Sequence, residues 1–382
     1  MNRRLDASGP LHLNGVVLPD GKKRDLFIKD GRITFTPVEN ATTVFSGGYL
    51  IPGLVDSHAH LGLNSPARGR ASDVERARAS AKAHVDAGVL VVREPGGPNR
   101  DSRGIGPHLG LPRTFTGGQF LAPPGRYFPG LAREVSEDEL PGAAEDEAKA
   151  SGAWAKVIGD FPGRSGHMEL NYRAETLAEA VRRVHLAGGR AAIHVMGGDA
   201  VEAAVMAGFD SIEHGAGVRE EHIKQMKARG TAWVPTMMVI AAVSGSDEMM
   251  EQIGLSTAGI KRTREESAKH PEMVRFASEA GVTILAGTDA GMMPHGVVRE
   301  EMRLLLDAGL SREDALGAAS WTARRYLGLP GIEEGAPADF VGFPDDPRGD
   351  PDVLAHPALR ILDGRVMADS RRPAPRHQHG ST

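Results

Sequence analysis

The sequence contains no cysteine. Disulfide bonds, thiolate metal sites and a cysteine nucleophile are therefore excluded. Any metal ion has to be bound through nitrogen and oxygen atoms, and the 15 histidines supply many imidazole nitrogens. The lack of thiols directs the search for a site toward histidine and carboxylate ligands.

The sequence also lacks a long apolar run and a strong excess of one charge. No stretch approaches the roughly 18–20 apolar residues that cross a bilayer, so no membrane association is expected. The formal net charge is −5 without a basic stripe, which argues against nucleic acid as a partner. The opening residues, MNRRLDASGPLHLNG, carry charge but no apolar core of a secretory signal, so a cytoplasmic location is expected.

Glycine is abundant and marks the ends of predicted helices. Five helix-like stretches end in a tripeptide whose glycine fits a left-handed cap, at Gly88, Gly188, Gly208, Gly281 and Gly309. Apolar strand-like runs follow most of them. With three further runs they predict eight strands: YLIPGLVDSHAH, VLVVRE, RTFTGG, AWAKVIG, AAIHV, DSIEH, TAWVPTM and VTILAGTD.

Strands that alternate with helices are typical of a parallel sheet with right-handed crossovers. Eight such units over residues 49–329 predict an α/β fold of the (β/α)8 TIM-barrel type, which takes about 250 residues with insertions. A doubly wound open sheet is the alternative architecture. Of the 382 residues, 40% are hydrophobic and 25% are charged, which is ordinary for a globular enzyme.

The two ends of the chain have a different texture. Residues 1–48 alternate short apolar and polar runs around the hairpin turns Asp20-Gly21 and Asp30-Gly31. Residues 330–370 return to that pattern, so both ends are predicted to form one small β-sandwich domain beside the barrel. Residues 371–382 are predicted to be a disordered tail.

Four histidines and one aspartate end the apolar strands. His58 and His60 are two residues apart, which places both imidazoles on one face of a strand end, and His194, His214 and Asp289 end later strands. In a barrel the carboxyl ends of the strands converge on one mouth. Imidazoles and a carboxylate at a common centre are typical ligands of zinc or a similar divalent ion. Taken alone, any one of these histidines is better explained as a satisfied polar residue of the core.

Lys156 interrupts the apolar strand AWAKVIG. Lysine is rarely buried without a partner. The residues alone leave two interpretations open. Either the side chain extends along the strand to water, or burial near a metal site has changed the charge of its amine.

The motifs resemble, in type and in order, those of the amidohydrolase superfamily, and within it the imidazolonepropionase-like branch that includes the Xaa-Pro dipeptidases (prolidases). The resemblance covers nearly the whole chain apart from the tail. It is carried by GLVDSHAHLG, WAKVIG, AAIHVMGGDAVEAAVMAGFDSIEHG, ARGTAWVPTM, ILAGTDAG and EGAPADFVGF. It implies a (β/α)8 barrel flanked by a β-sandwich built from both termini.

The resemblance also implies two divalent metal ions. Zinc is the preferred candidate, and manganese and iron are alternatives. The first ion would be bound by His58, His60 and Asp289, and the second ion by His194 and His214. Lys156 matches a lysine that is carboxylated in the family and bridges the two ions. Asp289 would be the general base and acid of a hydrolase that cleaves amide C–N bonds of a small molecule, such as an N-acyl amino acid or a dipeptide.

Two positions depart from other branches of the superfamily. Gly197 stands where the mononuclear deaminase and imidazolonepropionase branches often have a glutamate, which argues against deamination. Met196 replaces a second histidine that many relatives carry there. Loops after the strands supply the candidate substrate-binding residues Arg93, Tyr127, Arg164, His167 and His295. A cationic residue among them could hold a substrate carboxylate.

Other activities stay open at the level of sequence. The same metal centre would serve a lactone, a cyclic ureide, a carbamate or a phosphotriester, and an enzyme with one metal could use His214 to contact its substrate. A non-catalytic barrel scaffold is disfavoured because all six ligand positions are filled. The expected partner is a small-molecule substrate, and assembly into a homo-oligomer is left open.

Overall fold

A computed structural model of the chain describes residues 9–66, 72–152 and 154–367. The predicted disordered tail, residues 371–382, lies outside the described residues. In those ranges the strands are β1 (Leu11–Val17), β2 (Lys22–Lys29), β3 (Arg32–Thr34), β4 (Thr42–Pro52), β5 (Leu54–Asp56), β6 (Val89–Glu94), β7 (Arg113–Thr116), β8 (Phe120–Ala122), β9 (Ala132–Glu134), β10 (Trp154–Ile158), β11 (Asp160–Pro162), β12 (Met168–Leu170), β13 (Arg190–Val195), β14 (Ser211–His214), β15 (Ala232–Val234), β16 (Phe340–Phe343), β17 (Leu359–Leu362) and β18 (Arg365–Val366).

The α-helices in the same ranges are α1 (Asp73–Asp86), α2 (Leu140–Ser151), α3 (Ala174–Leu186), α4 (Gly198–Ala207), α5 (Glu220–Arg229), α6 (Met237–Ser244), α7 (Asp247–Gln252), α8 (Thr257–Glu279), α9 (Val298–Asp307), α10 (Arg312–Ala318) and α11 (Trp321–Tyr326). Short 3-10 helices lie at Pro107–Leu109 and Pro351–Ala355. None of the helices in the described ranges is long and apolar enough to span a membrane.

Both ends of the chain share one seven-stranded sheet, in the order β18-β17-β16-β4-β1-β2-β3. The predicted hairpin turn at Asp30-Gly31 is confirmed, since both residues have positive φ and join the antiparallel strands β2 and β3. Strand β4 runs on to Pro52. The run predicted as the first barrel strand therefore contributes only β5 to the parallel strands, and its first half belongs to the terminal sheet.

The parallel strands form two sheets. One has the order β5-β6-β7 and the other β15-β14-β13-β10-β8-β9. Single parallel bridges, Gly97 to Gln119, Trp233 to Ile284 and Ala59 to Ala290, connect their edges and the segment 282–290. Among the described residues the sheets are thus neighbours in a ring order, but they do not form one continuous hydrogen-bonded ladder.

Local sequence signals account for most element ends. All five predicted cap glycines have positive φ, between 78° and 106°. Pro141 does not break α2, because it lies in the first helical turn, where no backbone N–H is required. The run TAWVPTM forms a strand only at β15, since Pro235 has no N–H for a ladder and α6 begins at Met237.

Three helices, α6, α7 and α8, separate β15 from the segment 282–290. The first of them has the sequence MMVIAAVS, which contains no charged residue. Side chains of these helices line the same cavity as His58, which follows β5, and as His194 of β13 and His214 of β14. This insertion supplies one wall of the cavity described below.

Candidate metal centre

The first two site residues, His58 and His60, follow the short buried strand β5. Backbone hydrogen bonds fix this turn against segment 282–290: the His60 N–H donates to the carbonyl of Ala290, and the Asp289 N–H donates to the carbonyl of His58. Gly287 permits this close approach, since a Cβ there would lie 2.6 Å from the His58 Cβ. Main-chain contacts thus place His58, His60 and Asp289 against one another.

The two imidazoles turn their Nε2 atoms toward each other. The His58 Nδ1–H donates to Glu213 Oε2 at 2.7 Å, and the His60 Nδ1–H donates to the carbonyl of Gly96 at 2.6 Å. With each Nδ1 used as a donor, both Nε2 atoms carry lone pairs, yet they are 3.2 Å apart. Two facing lone pairs at that distance call for a cation between them.

Asp289 completes this cluster. Its Oδ1 lies 3.1 Å from His60 Nε2 and 3.5 Å from His58 Nε2, and the three ligand atoms lie within 4.8 Å of one another. All three residues are buried. Burial raises the pKa of Asp289, but the neighbouring His58, His60 and Lys156 outweigh it and hold this pKa below its ordinary value. The carboxylate is therefore ionised and able to bind a metal ion.

Lys156 lies in the middle of β10 and is 1% exposed. Its Nζ has no hydrogen-bond partner among the described residues, although it lines the same cavity as the cluster. Burial lowers the pKa of this amine to about 8, against the opposing charges of Glu213 and Asp289. The extended, solvated side chain that the sequence left open is not what the structure has.

His194 and His214 stand beside the cluster. The His214 ring centroid is 4.9 Å from that of His58 and 4.6 Å from that of His194. Burial lowers the pKa of His194 to about 3 and that of His214 well below its ordinary value, so both rings are neutral and each keeps a lone pair that could bind a metal ion. All six predicted metal ligands therefore line one cavity.

A buried ion pair that sequence reasoning missed supports His58. The Glu213 carboxylate accepts from His58, from the Ser211 hydroxyl at 2.5 Å and from both terminal nitrogens of Arg93 at 3.0 Å. The Arg93 guanidinium also lies over Trp154, 4.1 Å from the ring centroid. Burial raises the pKa of Glu213, but Arg93, Lys156 and His58 hold it well below the ordinary value. A carboxylate behind a metal-binding imidazole fixes its tautomer and orientation.

Another buried carboxylate, Glu301 of α9, holds the first turn of α6. It accepts hydrogen bonds from the backbone N–H groups of Met237 at 2.8 Å and Met238 at 3.0 Å. Burial raises its pKa to about 8. The sequence gives no signal for such a residue, because Glu301 is one of several charged positions in an amphipathic helix.

Of the five predicted substrate-binding residues, the structure places Tyr127 in the wall of the cavity. Arg93 is fully buried behind Glu213, and Arg164 is exposed in the turn between β11 and β12. His167 lines a neighbouring cavity beside Asp160. His295 packs against His84 and its Nε2 lies 2.9 Å from the carbonyl of Leu63. These four side chains are not among the described residues that line the metal cavity.

The donor set suits a divalent metal ion. It offers neutral imidazoles, an ionised carboxylate and a buried amine without a partner, all as nitrogen or oxygen ligands. The His58, His60 and Asp289 group can hold one ion. Lys156 becomes an oxygen ligand for a second ion only after its neutral amine has been carboxylated.

Two known proteins resemble this chain in sequence, one over nearly its full length and the other over part of it. It is 40% identical over 376 residues, 96% of its own length and 99% of the other, to an uncharacterized protein of Mycobacterium tuberculosis. Over 170 residues it is 30% identical to ochratoxinase of Aspergillus niger, which covers 43% of this chain and 34% of the other.

The fold has solved counterparts. The structure of a Xaa-Pro dipeptidase with bound methionine in its active site matches with a TM-score of 0.78 at 22% identity, over 94% of this chain and 100% of the other. Such neighbours imply a TIM-barrel-type fold with a second domain. A model of the amidohydrolase family matches residues 49–367. The chain therefore belongs to the amidohydrolase family.

Proposed function

We propose that this protein is a hydrolase that binds two divalent metal ions, with zinc as the preferred candidate. It cleaves an amide C–N bond of a small molecule such as an N-acyl amino acid or a dipeptide. The family supports hydrolysis in general. The number of ions and the bond cleaved are the parts that belong to the proposal.

The observation that carries the proposal is the position of the Lys156 amine. It is buried, has no partner among the described residues and lines the same cavity as His58, His60 and Asp289. With a pKa of about 8, a substantial fraction of the amine is neutral near pH 8. A neutral amine adds carbon dioxide and releases a proton, which gives an anionic ligand with two oxygens.

Bound divalent ions supply an acidified water molecule and a Lewis acid for the substrate carbonyl. Side chains of the cavity transfer the protons and stabilise the developing charge. Asp289, ionised and in contact with the cluster, accepts the proton of the attacking water and delivers it to the leaving nitrogen. Burial raises the pKa of Tyr127, so its phenol keeps its proton and can donate to the oxygen that gains negative charge.

We further propose that residues 49–329 form a closed eight-stranded (β/α)8 barrel and that residues 1–48 and 330–370 form a β-sandwich domain. The ring order of the parallel strands and the bridges at Gly97, Trp233 and Ala59 support the barrel. The shared terminal sheet supports the second unit. A cytoplasmic location remains a prediction.

Metal analysis combined with a substrate panel tests the function. Zinc-loaded wild-type protein is expected to hold about two equivalents per chain by mass spectrometry, and Lys156→Ala about one or fewer. The matched variant Lys149→Ala, whose side chain pairs with Glu145 on the surface of α2, should keep both ions. The same preparations are then assayed on N-acyl amino acids, dipeptides, lactones and carbamates. A wild-type protein that binds no metal, or that hydrolyses only the esters in the panel, overturns the proposal.

A further inference from the structure

The walls of the metal cavity differ in chemistry from its floor. The floor carries the six ligand side chains. The walls are lined by Phe120, Tyr127, Phe128, Phe161, Met168, Met196, Val239, Ile240, Val243, Met249, Ile253, Thr263 and Met292. Only Tyr127 and Thr263 among these have a polar group, and both groups are hydroxyls. The described wall residues include no arginine, lysine or carboxylate.

One wall is aromatic and touches the ligands directly. The Phe120 ring lies 5.1 Å from that of His60, and the Tyr127 ring lies 5.9 Å from that of His194. Phe128 and Phe161 stack edge to face with Tyr127 behind this layer. The apolar surface of the wall thus lies directly against the metal ligands, without polar side chains between them.

The other wall is aliphatic and comes from the inserted helices. Val239, Ile240 and Val243 share one face of α6, and Met249 lies on α7, with Ile253 just beyond its end. Met196 and Ile240 belong to one buried apolar cluster, and Met168 packs against that cluster. Methionine side chains adapt to irregular apolar shapes, so this wall can close around groups of different outline.

These walls decide what can enter beside the scissile bond. A charged substituent would lose its hydration here without gaining a partner, which is costly. An apolar substituent would instead gain from leaving water. The space inside the cavity that a water-sized sphere can reach is about 100 Å³, which is room for several water molecules and therefore for a group larger than acetyl.

We propose that the substrate carries, next to the bond that is cleaved, a neutral apolar group larger than acetyl, either aromatic or branched aliphatic. This rests on the proposed hydrolysis at the metal centre and names the substrate class for that site. Any charged group of the substrate, such as a free carboxylate, stays at the mouth of the cavity in water. The residues that select the substrate are then those of α6 and α7, not a cationic side chain of a loop.

Hydroxamates test the cavity without relying on turnover, because they bind metal ions through two oxygens. Zinc-loaded protein is titrated calorimetrically with aceto-, butano-, hexano- and benzohydroxamate, and with the cationic 5-aminopentanohydroxamate. Affinity is expected to rise about fourfold with each methylene until the space is filled. The aminopentano compound should bind at least about tenfold more weakly than the hexano compound. Equal affinity across the series, or tighter binding of the cation, overturns the inference.

A wall variant assigns the effect to α7. Met249→Gln keeps the length of the side chain but adds an amide to the wall, and should weaken hexanohydroxamate about five- to tenfold while changing acetohydroxamate less than about twofold. Met206→Gln is the matched control, because Met206 is 50% exposed on α4 and lies outside the cavity. An equal loss for both ligands in Met249→Gln would contradict selection by the wall.

Kinetics on anilides separates this inference from the proposed function. Acyl chains are varied on one amine, and amines on one acyl group, so that the preferred side is identified. If hydroxamate affinity rises with chain length but no amide is hydrolysed, the apolar selection is supported and the proposed amidase function is wrong. Hydrolysis that is fastest for acetyl or succinyl amides removes the apolar selection and leaves the function standing.

Discussion

The floor and the walls of the cavity differ in the polarity of their side chains and, in large part, in the elements that carry them. The floor consists of ionisable groups on or just after the parallel strands and the segment 282–290, and several of them are held by a hydrogen bond or an ion pair behind them, as Glu213 holds His58. The walls consist of apolar side chains from the helices α6 and α7, from the short strands β8, β11 and β12, and from loops.

This division separates the chemistry from the choice of substrate. A change in the floor should lower activity toward every substrate by a similar factor. A change in the wall should alter the ranking of substrates and leave the metal content unchanged. Two experiments on the floor test that separation, and a third tests the buried carboxylate that anchors the wall.

The largest effect is expected from Asp289→Asn. The amide cannot accept the proton of the attacking water and is a poorer metal ligand, so kcat/KM should fall at least about 1,000-fold for every substrate alike. Steady-state kinetics on long-chain and short-chain amides, with zinc content measured in parallel, provides the test. A variant that keeps a tenth of the activity, or that loses it for one substrate only, would remove Asp289 from its proton-transfer role.

A smaller effect is expected from Glu213→Gln. Loss of the negative charge behind His58 should weaken zinc about 10- to 100-fold, measured by competition with a chelator. Glu147→Gln is a matched control, since Glu147 is equally buried and paired with Arg100 at 2.6 Å and with Arg133 at 3.2 Å, away from the cavity. Both variants should lose stability to urea. If zinc affinity falls equally in both, the role of Glu213 is merely structural.

The smallest effect concerns the wall and its anchor Glu301. The folded-state pKa of about 8 lies above the ordinary value of 4.5, so between these pH values the folded chain holds a proton that the unfolded chain releases. The stabilising contribution of this proton is complete below pH 4.5 and is lost as the pH rises through 8. The free energy of unfolding should therefore fall with pH, by at most about 1.4 kcal/mol per pH unit from this group.

Urea unfolding at pH 5, 6, 7 and 8 tests this contribution. Glu301→Gln should show a flatter pH dependence than the wild type, because the titrating group is gone. The surface variant Glu265→Gln, exposed on α8, should keep the wild-type slope. Identical slopes in all three proteins would show that Glu301 is already ionised in the folded chain.

The sequence predicted the floor better than what surrounds it. His58, His60 and Asp289 follow apolar runs, and parallel strands bring such ends together, so their cluster follows from a local pattern and one rule of topology. The long-range pair of Arg93 and Glu213 could not be found this way. Alternation within VLVVRE gives no indication that Arg93 meets a residue 120 positions away, and its position after an apolar run favoured a loop residue that contacts substrate.

The wall was also beyond local patterns. The run TAWVPTM was predicted as one strand, but tertiary structure shortens it to β15 and starts α6 at Met237, where Glu301 caps the free backbone N–H groups. The segment VTILAGTD makes bridges and single hydrogen bonds in place of a strand ladder. In each case a partner distant in sequence decides the conformation.

The backbone at two ligand positions carries a further consequence. Asp289 has a φ of 53° and His214 a φ of 66°, in the left-handed region that side chains other than glycine occupy at a cost of about 1 kcal/mol. Asp289→Gly would relax that cost while removing the carboxylate proposed as the general base. Directed evolution that screens only for heat resistance would thus favour inactive variants at this position. A search for a more stable active enzyme would have to select for turnover in every round.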